Sequence, residues 1–179
     1  MALYKAINIF KKTYACRKIA QPLPEAIWHQ PLYFIDFGFG SGAMPLAPGT
    51  FGTLMAIPFY MVLQALPLAA YLIFVIIFCI FSIWICDRVS RDIGIHDHPG
   101  MCIDEFAGFF VTMIDAPPGF TWIILGFVLF RLFDIWKPWP IFFIDKKIHG
   151  GIGIVLDDIV AGIFSMVGIQ LIKILVANF

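Results

Sequence analysis

Two acid pairs stand where hydrophobic runs begin. Asp157-Asp158 precedes Ile159 to Val176, and Asp104-Glu105 precedes Phe106 to Ile114. A fifth acid, Asp134, lies in Arg131-Leu-Phe-Asp-Ile-Trp-Lys137, where Arg131 and Asp134 share a helical face by i, i+3 spacing, with Lys137 a further candidate for it. Carboxylates from separate helix ends, with Arg and Lys beside them, suit metal-assisted phosphoryl chemistry: a hard cation such as Mg²⁺ binds carboxylate oxygens and polarises phosphate, while the basic groups hold the other oxygens. Any one acid before an apolar run reads equally well as a helix N-cap or a solvated flank. Two such pairs at separate membrane edges favour a shared metal site. Adjacent residues on a helix point about a third of a turn apart, so Asp157 and Asp158 are not interchangeable; Asp158 is the expected ligand, and Asp157 a ligand or the base that orients water.

A third cluster is Gly38-Phe-Gly-Ser-Gly-Ala-Met-Pro-Leu-Ala-Pro-Gly-Thr-Phe-Gly-Thr53. Glycines let backbone N–H groups approach an anion, and a helix N-terminus following them favours phosphate. Gly49, Thr50 and Thr53, with Arg131 and Lys137, are the candidate phosphate-binding residues. No Lys follows the glycines as in a P-loop, and a tight turn with an N-cap explains the same residues. No Cys-x5-Arg loop or Asp-x-Asp nucleophile motif is present, so direct attack by water is expected. His96-Asp-His98 reads as a solvated loop, and Asp87, Arg88, Arg91 and Asp92 as a charged helix end.

These groups must be held by elements that are mostly apolar. Of 179 residues 61% are hydrophobic and 13% charged, against roughly 45–50% and 25% in soluble domains, and the mean hydropathy is +0.91. The chain reads as an all-α, polytopic membrane helical bundle. Its apolar blocks are Phe51–Leu66, broken by Pro58; Ala69–Cys86; the pair Phe106–Ile114 and Phe120–Phe130, hinged at Asp115–Gly119; and Ile159–Val176. They make about four spans or hairpin segments, although only the second and fourth approach the ~20 residues a straight span needs. Residues 1–20 read as an N-terminal amphipathic helix with Leu3, Ile7, Phe10 and Tyr14 along one stripe, so 1–35 form an interfacial arm and linker and 36–179 the membrane catalytic domain. The N-terminus lacks the apolar stretch and cleavage site of a signal peptide. The four cysteines have no metal spacing and read as small buried hydrophobes. The net charge is zero and offers no case for nucleic acid.

With the N-terminus in the cytoplasm and hairpins turning at Leu66-Pro67-Leu68 and Pro117-Pro118, every Lys and Arg except Lys173 falls on one side, as does every acid except Asp115. The positive-inside rule makes that side cytoplasmic, so the polar chemistry is expected at the inner membrane surface.

Four motifs taken together, Gly42–Thr53, Ile103-Asp-Glu-Phe-Ala-Gly108, Arg131-Leu-Phe-Asp-Ile-Trp-Lys-Pro-Trp-Pro-Ile141 and Gly151-Ile-Gly-Ile-Val-Leu-Asp-Asp-Ile-Val-Ala-Gly162, resemble the phosphatidylglycerophosphatase A family over about residues 38 to 165. The resemblance implies an all-helical, Mg²⁺-dependent lipid phosphatase of the bacterial inner membrane. Such an enzyme removes the terminal phosphate of phosphatidylglycerophosphate in phospholipid biosynthesis. It maps the acidic motifs onto Asp104, Glu105, Asp134, Asp157 and Asp158, the Gly-rich motif onto Pro48 to Thr53, and the basic positions onto Arg131 and Lys137. Two rivals remain: a phosphotransferase using CDP-alcohols, whose Asp-Gly and Ala-Arg signature is absent, and a small divalent-ion transporter, whose acids would line the spans rather than gather at one end. Oligomeric state is not legible.

Overall fold

A computed structural model describes residues 25–177, and among them every regular element is helical. After a 3₁₀ turn at Glu25–Trp28 come α1 (Pro31–Asp36), a 3₁₀ segment Gly38–Ala43, α2 (Pro48–Leu63), α3 (Leu68–Ile93), α4 (Ile103–Thr112), α5 (Phe120–Trp136), α6 (Ile141–Lys147) and α7 (Gly151–Ala177). The amphipathic helix expected over residues 1–20 lies outside the described residues.

The helices α3 and α7, 26 and 27 residues long, are long and apolar enough to cross a membrane. Only 22% of the most apolar window of each is buried in the protein, whereas the core helix of a soluble domain is mostly covered. Ile73, Ile77 and Ile80 stand 60–63% exposed on α3, a contiguous apolar surface of the kind that meets lipid or a partner. The other apolar blocks are shorter. At 16 and 10 residues, α2 and α4 reach about 24 and 15 Å, less than the ~30 Å of hydrocarbon. Two full-length helices therefore stand where about four spans or hairpin segments were expected.

Three of the boundaries that differ from the sequence reading have a clear local cause. Pro48 at the first turn starts α2, since a proline there loses no intrahelical bond; the expected phosphate loop of Gly49 to Thr53 is thus helix. Past Cys86, α3 continues to Ile93 and ends at left-handed Gly94. The eight residues before Ile159 are also helical, because the Asp87 carboxylate of α3 receives the first N–H of α7, Gly151, at 3.2 Å. Asp157 and Asp158 therefore sit about two turns inside a helix, and neither caps it.

At the centre lies α4, buried from Phe106 through Thr112 and contacted by α2, α3, α5 and α7. A buried helix end must find partners for its carbonyls. Tyr71 Oη donates to Phe110 O at 2.8 Å, and Gln170 Nε2 donates to Ile114 O at 3.2 Å and Asp115 O at 3.0 Å. At that same end Lys173 pairs with Asp115 at 2.9 Å, so the one cation and the one acid that the trial topology stranded there neutralise each other.

At their crossing α4 and α7 meet backbone to backbone. A Cβ on Gly162 would fall inside contact distance of Gly108 O, and one on Gly108 would lie 2.7 Å from Asp158 O. Small residues let membrane helices meet backbone to backbone. Gly162→Ala is expected to cost about 1–3 kcal/mol by overpacking and to lower the thermal unfolding midpoint in detergent. Gly168→Ala, whose Cβ would meet only the end of Leu129 at 3.3 Å, should change it little.

Candidate metal and phosphate site

The glycine crossing sets the spacing of the acids above it. Gly108 lies one turn below Asp104 on α4, and Gly162 one turn below Asp158 on α7. Asp36 O receives the Cys102 N–H at 2.8 Å, which ties the start of α4 to the end of α1. Within the first turn Asp104 Oδ1 accepts the Glu105 N–H at 3.1 Å. Oxygens of Asp104, Glu105 and Asp158 consequently lie within 4.8 Å of one another. Asp104 and Asp158 are 7% and 4% exposed, and Glu105 Oε2 is buried with no hydrogen-bond partner. Three buried carboxylates at one point repel each other in a medium that solvates them poorly. Their oxygen-only donor set and the orphaned Oε2 fit a hard divalent cation such as Mg²⁺.

Arg131, on α5, stands beside this triad. Its guanidinium reaches Asp134 Oδ2 at 2.8 Å and Glu105 Oε1 at 4.0 Å, and it donates to Thr53 Oγ1 at 3.4 Å. The Arg131–Asp134 face expected from i, i+3 spacing is present, and Asp134 also lies beside Asp158. Because Thr53 donates its own hydroxyl to Gly49 O at 2.9 Å, it presents a lone pair that orients Arg131. At Gly49 a Cβ would collide with Glu105 Oε1 and come within 3.3 Å of Arg131 Nη2; glycine there lets α2 lie directly on the acid. Thr50 is half-buried on the same turn, its N–H bonded to Ala47 O at 2.9 Å.

Lys137 does not continue the Arg131 face. It terminates α5 in the left-handed region at φ 45°, and its Nζ meets Asp157 Oδ2 at 2.5 Å. Asp157 is 6% exposed and is not one of the three acids that converge. Of the five acids expected, three form the cluster, Asp134 links it to Arg131, and Asp157 is engaged by Lys137.

Sequence reasoning missed several contributors. The His96–His98 loop is not wholly solvated: His98 is 2% exposed, accepts the Gly100 N–H at 3.0 Å and packs on Phe37, while His96 stacks on His149. Cys86 and Cys102 are buried as expected, Cys79 partly so. Asp36 was not singled out; it is fully buried, its Oδ1 3.5 Å from the Cys86 thiol and its Oδ2 without a hydrogen-bond partner. An acid among Phe34, Ile35 and Phe37 was the only available signal.

Comparison with known proteins places these residues in context. A family model described as "Phosphatidylglycerophosphatase A" matches residues 34–173. The chain is 43% identical over 136 residues to phosphatidylglycerophosphatase A of Escherichia coli (strain K12), covering 75% of this chain and 79% of that one. It is 36% identical over 148 residues to phosphatidylglycerophosphatase A of Haemophilus influenzae, covering 82% and 91%. A Bacteroides thetaiotaomicron protein with the provisional name phosphatidylinositol-3-phosphatase is 34% identical over 141 residues, covering 74% and 87%. No solved structure matches.

Burial raises the Asp36 carboxyl from an ordinary 3.8 to about 7, with the hydrogen bond from Cys86 opposing the rise. A carboxyl whose folded value is raised favours the fold when protonated, so its contribution is lost as pH climbs from about 3.8 to about 7. Asp36→Asn keeps the acceptor for Cys86 and is expected to raise the unfolding midpoint at pH 8 while leaving it unchanged near pH 4. A lower midpoint at pH 8 would show that the ionised carboxylate has a partner of its own.

Proposed function

The chain belongs to the phosphatidylglycerophosphatase A family, and from that footing we propose that it hydrolyses the terminal phosphate monoester of phosphatidylglycerophosphate, yielding phosphatidylglycerol and inorganic phosphate in phospholipid biosynthesis. The observation that carries the reading is the convergence of Asp104, Glu105 and Asp158 beside Arg131, inside the residues that the family model matches. The reaction would take place at the cytoplasmic face of the bacterial inner membrane, where the positive-inside rule puts all but one of the lysines and arginines.

Asp104, Glu105 and Asp158 would hold Mg²⁺, with Asp134 at its edge. When bound, that ion supplies charge neutralisation at the phosphate and a water of lowered pKa. The chain's own groups do the rest. Arg131 turns from Asp134 and Thr53 to take two phosphoryl oxygens, the fork geometry suited to that task. Gly49 and Thr50, on the first turn of α2, border the same space. Asp157 orients the attacking water and holds Lys137 in reach of the phosphate. Water forms the new P–O bond as the bond to the glycerol oxygen breaks, and the leaving alkoxide takes up the proton that the water gives up. The acids gather at one end of the bundle rather than along a span, which favours surface chemistry over an ion pathway.

Phosphate release by the purified full-length protein in detergent, with Mg²⁺ and with chelator, tests this directly; phosphatidylinositol 3-phosphate serves as the comparison substrate. Asp158→Asn should lower Mg²⁺-dependent release roughly 100-fold or more, as expected for losing a group that stabilises the transition state. Asp157→Asn should cost about tenfold, the scale of an orienting partner. Near-normal release by Asp158→Asn would contradict these roles.

A further inference from the structure

Where the end of α3 meets the start of α7 lies a cavity of about 380 Å³, walled by Ile80, Ile83 and Trp84 on one side and Ile152 on the other, with Asp87 and His149 also in its lining. An engineered apolar cavity of about 150 Å³ admits benzene, so this one has room for a stretch of hydrocarbon. Gly150 and Gly151 complete the lining without side chains, and a Cβ on Gly151 would collide with Ile83 O. The cavity is therefore set by glycines that let α7 start against α3.

Its walls change character with depth. Ile80 lies seven residues before Asp87, about 10 Å down α3. Ile80, Trp84 and Ile152 stand 63%, 55% and 54% exposed, on the two helices long and apolar enough to cross a membrane. A tryptophan near the polar end of such a helix suits the boundary between hydrocarbon and head groups. At Asp87 the lining turns polar. One oxygen of that carboxylate accepts the Gly151 N–H and the other accepts Arg91, so its charge is already matched. Arg91 uses its Nε–H on Asp87 O at 3.1 Å and an Nη2–H on the carboxylate, two of the five donors a guanidinium carries, and its side chain is 72% exposed. His149 Nδ1 lies 3.2 Å from Lys147 O. A carbonyl oxygen only accepts, so Nδ1 carries the hydrogen and Nε2 of the neutral ring is an acceptor. His96 stacks on the same ring at 5.4 Å and steadies it.

We infer that this cavity seats a second phospholipid, one with an anionic phosphodiester and a hydroxyl-bearing head group. The acyl chain lies against Ile80, Ile83 and Ile152. The phosphodiester meets the remaining donors of Arg91, whose fork suits phosphate oxygens, and a head-group hydroxyl donates to His149 Nε2. Phosphatidylglycerol has this chemistry; a choline head group has no donor for His149. No residue of the acidic site takes part, so the assignment stands apart from the phosphatase reading. The seat adjoins the Asp87–Gly151 bond that starts α7, about two turns before Asp157 and Asp158, and its occupancy stabilises the helix that carries both acids.

Trp84 is a probe already in place. The full-length protein and its Trp84→Phe variant, in phosphatidylcholine nanodiscs with a small fraction of phosphatidylglycerol brominated on its acyl chains, give by difference the quenching of Trp84. The expected result is quenching well beyond the brominated lipid's share of the bilayer, relieved by excess unbrominated phosphatidylglycerol. Brominated phosphatidylcholine at the same fraction should quench only in proportion to its share. Arg91→Gln should weaken the excess about tenfold and His149→Phe about fivefold, the scale of one hydrogen bond to a charged and to a neutral group. Arg88→Gln, whose guanidinium pairs with Asp92 at 3.2 Å, should leave it intact. Proportional quenching by phosphatidylcholine in each variant reports that it is folded. Quenching that follows mole fraction for both lipids would overturn the assignment, as would an equal loss with Arg88→Gln, which would signify general attraction of anions. Displacement by soluble glycerophosphoglycerol would also overturn it, since the site would then bind a free phosphodiester. Hydrogen exchange in the peptide from Gly151 to Leu156 should slow with phosphatidylglycerol and not with phosphatidylcholine; unchanged exchange with the lipid bound would contradict the coupling to α7.

Discussion

The backbone contact between Gly108 and Gly162 governs the rest of the molecule. It brings α4 and α7 closer than any side chain would allow, one turn beneath Asp104 and Asp158. Carboxylates of opposing helices at an ordinary packing distance of about 8–10 Å would each find water or a basic neighbour of their own. Here their oxygens, with that of Glu105, fall within 4.8 Å of one another. The short central helix follows from the same contact, because ten residues surrounded by four helices can carry two adjacent acids from the polar edge into the bundle without crossing it.

Such a concentration of negative charge is unfavourable where water is scarce, and its neighbours are arranged to limit that cost. Arg131 lies between Asp134 and Glu105, and Lys137 lies on Asp157. Each cation thus stabilises an acid at the edge of the cluster, and of the three central carboxylates Arg131 reaches Glu105, at 4.0 Å. Glu105 Oε2 is buried without a hydrogen-bond partner. Thr53 has a positioning part: with its hydroxyl hydrogen committed to Gly49 O, its oxygen steers Arg131. The left-handed turn at Lys137 likewise sends that side chain to Asp157 and away from the Arg131 face.

Much of this was legible in the sequence because it rests on spacing. The i, i+3 relation of Arg131 and Asp134, the recurrence of acids at two hydrophobic edges, the hairpin at Leu66-Pro67-Leu68 and the all-helical class all follow from periodicity and composition. What was not legible depends on contacts between distant residues. Nothing near Gly151 announces that Asp87 will cap α7, so the helix seemed to begin at Ile159 and Asp157 and Asp158 seemed to stand at its edge. Pro48 as a helix start was hidden among turn-forming residues, and Gly49 to Thr53 read as a loop. The paired glycines at 108 and 162 carry no signal until two helices are placed face to face. Buried Asp36 and His98 owe their places to α1 folding over the start of α4, which no local pattern predicts.

The most direct test of the account is the stoichiometry of divalent-cation binding at the α4–α7 crossing. Titration calorimetry of Mg²⁺ into the purified full-length protein should give saturable binding that Glu105→Gln abolishes and Asp115→Asn, at the opposite end of the bundle, leaves intact. Binding that survives Glu105→Gln unchanged, or that is absent from the wild-type protein, would contradict the claim that the glycine crossing exists to assemble a metal site.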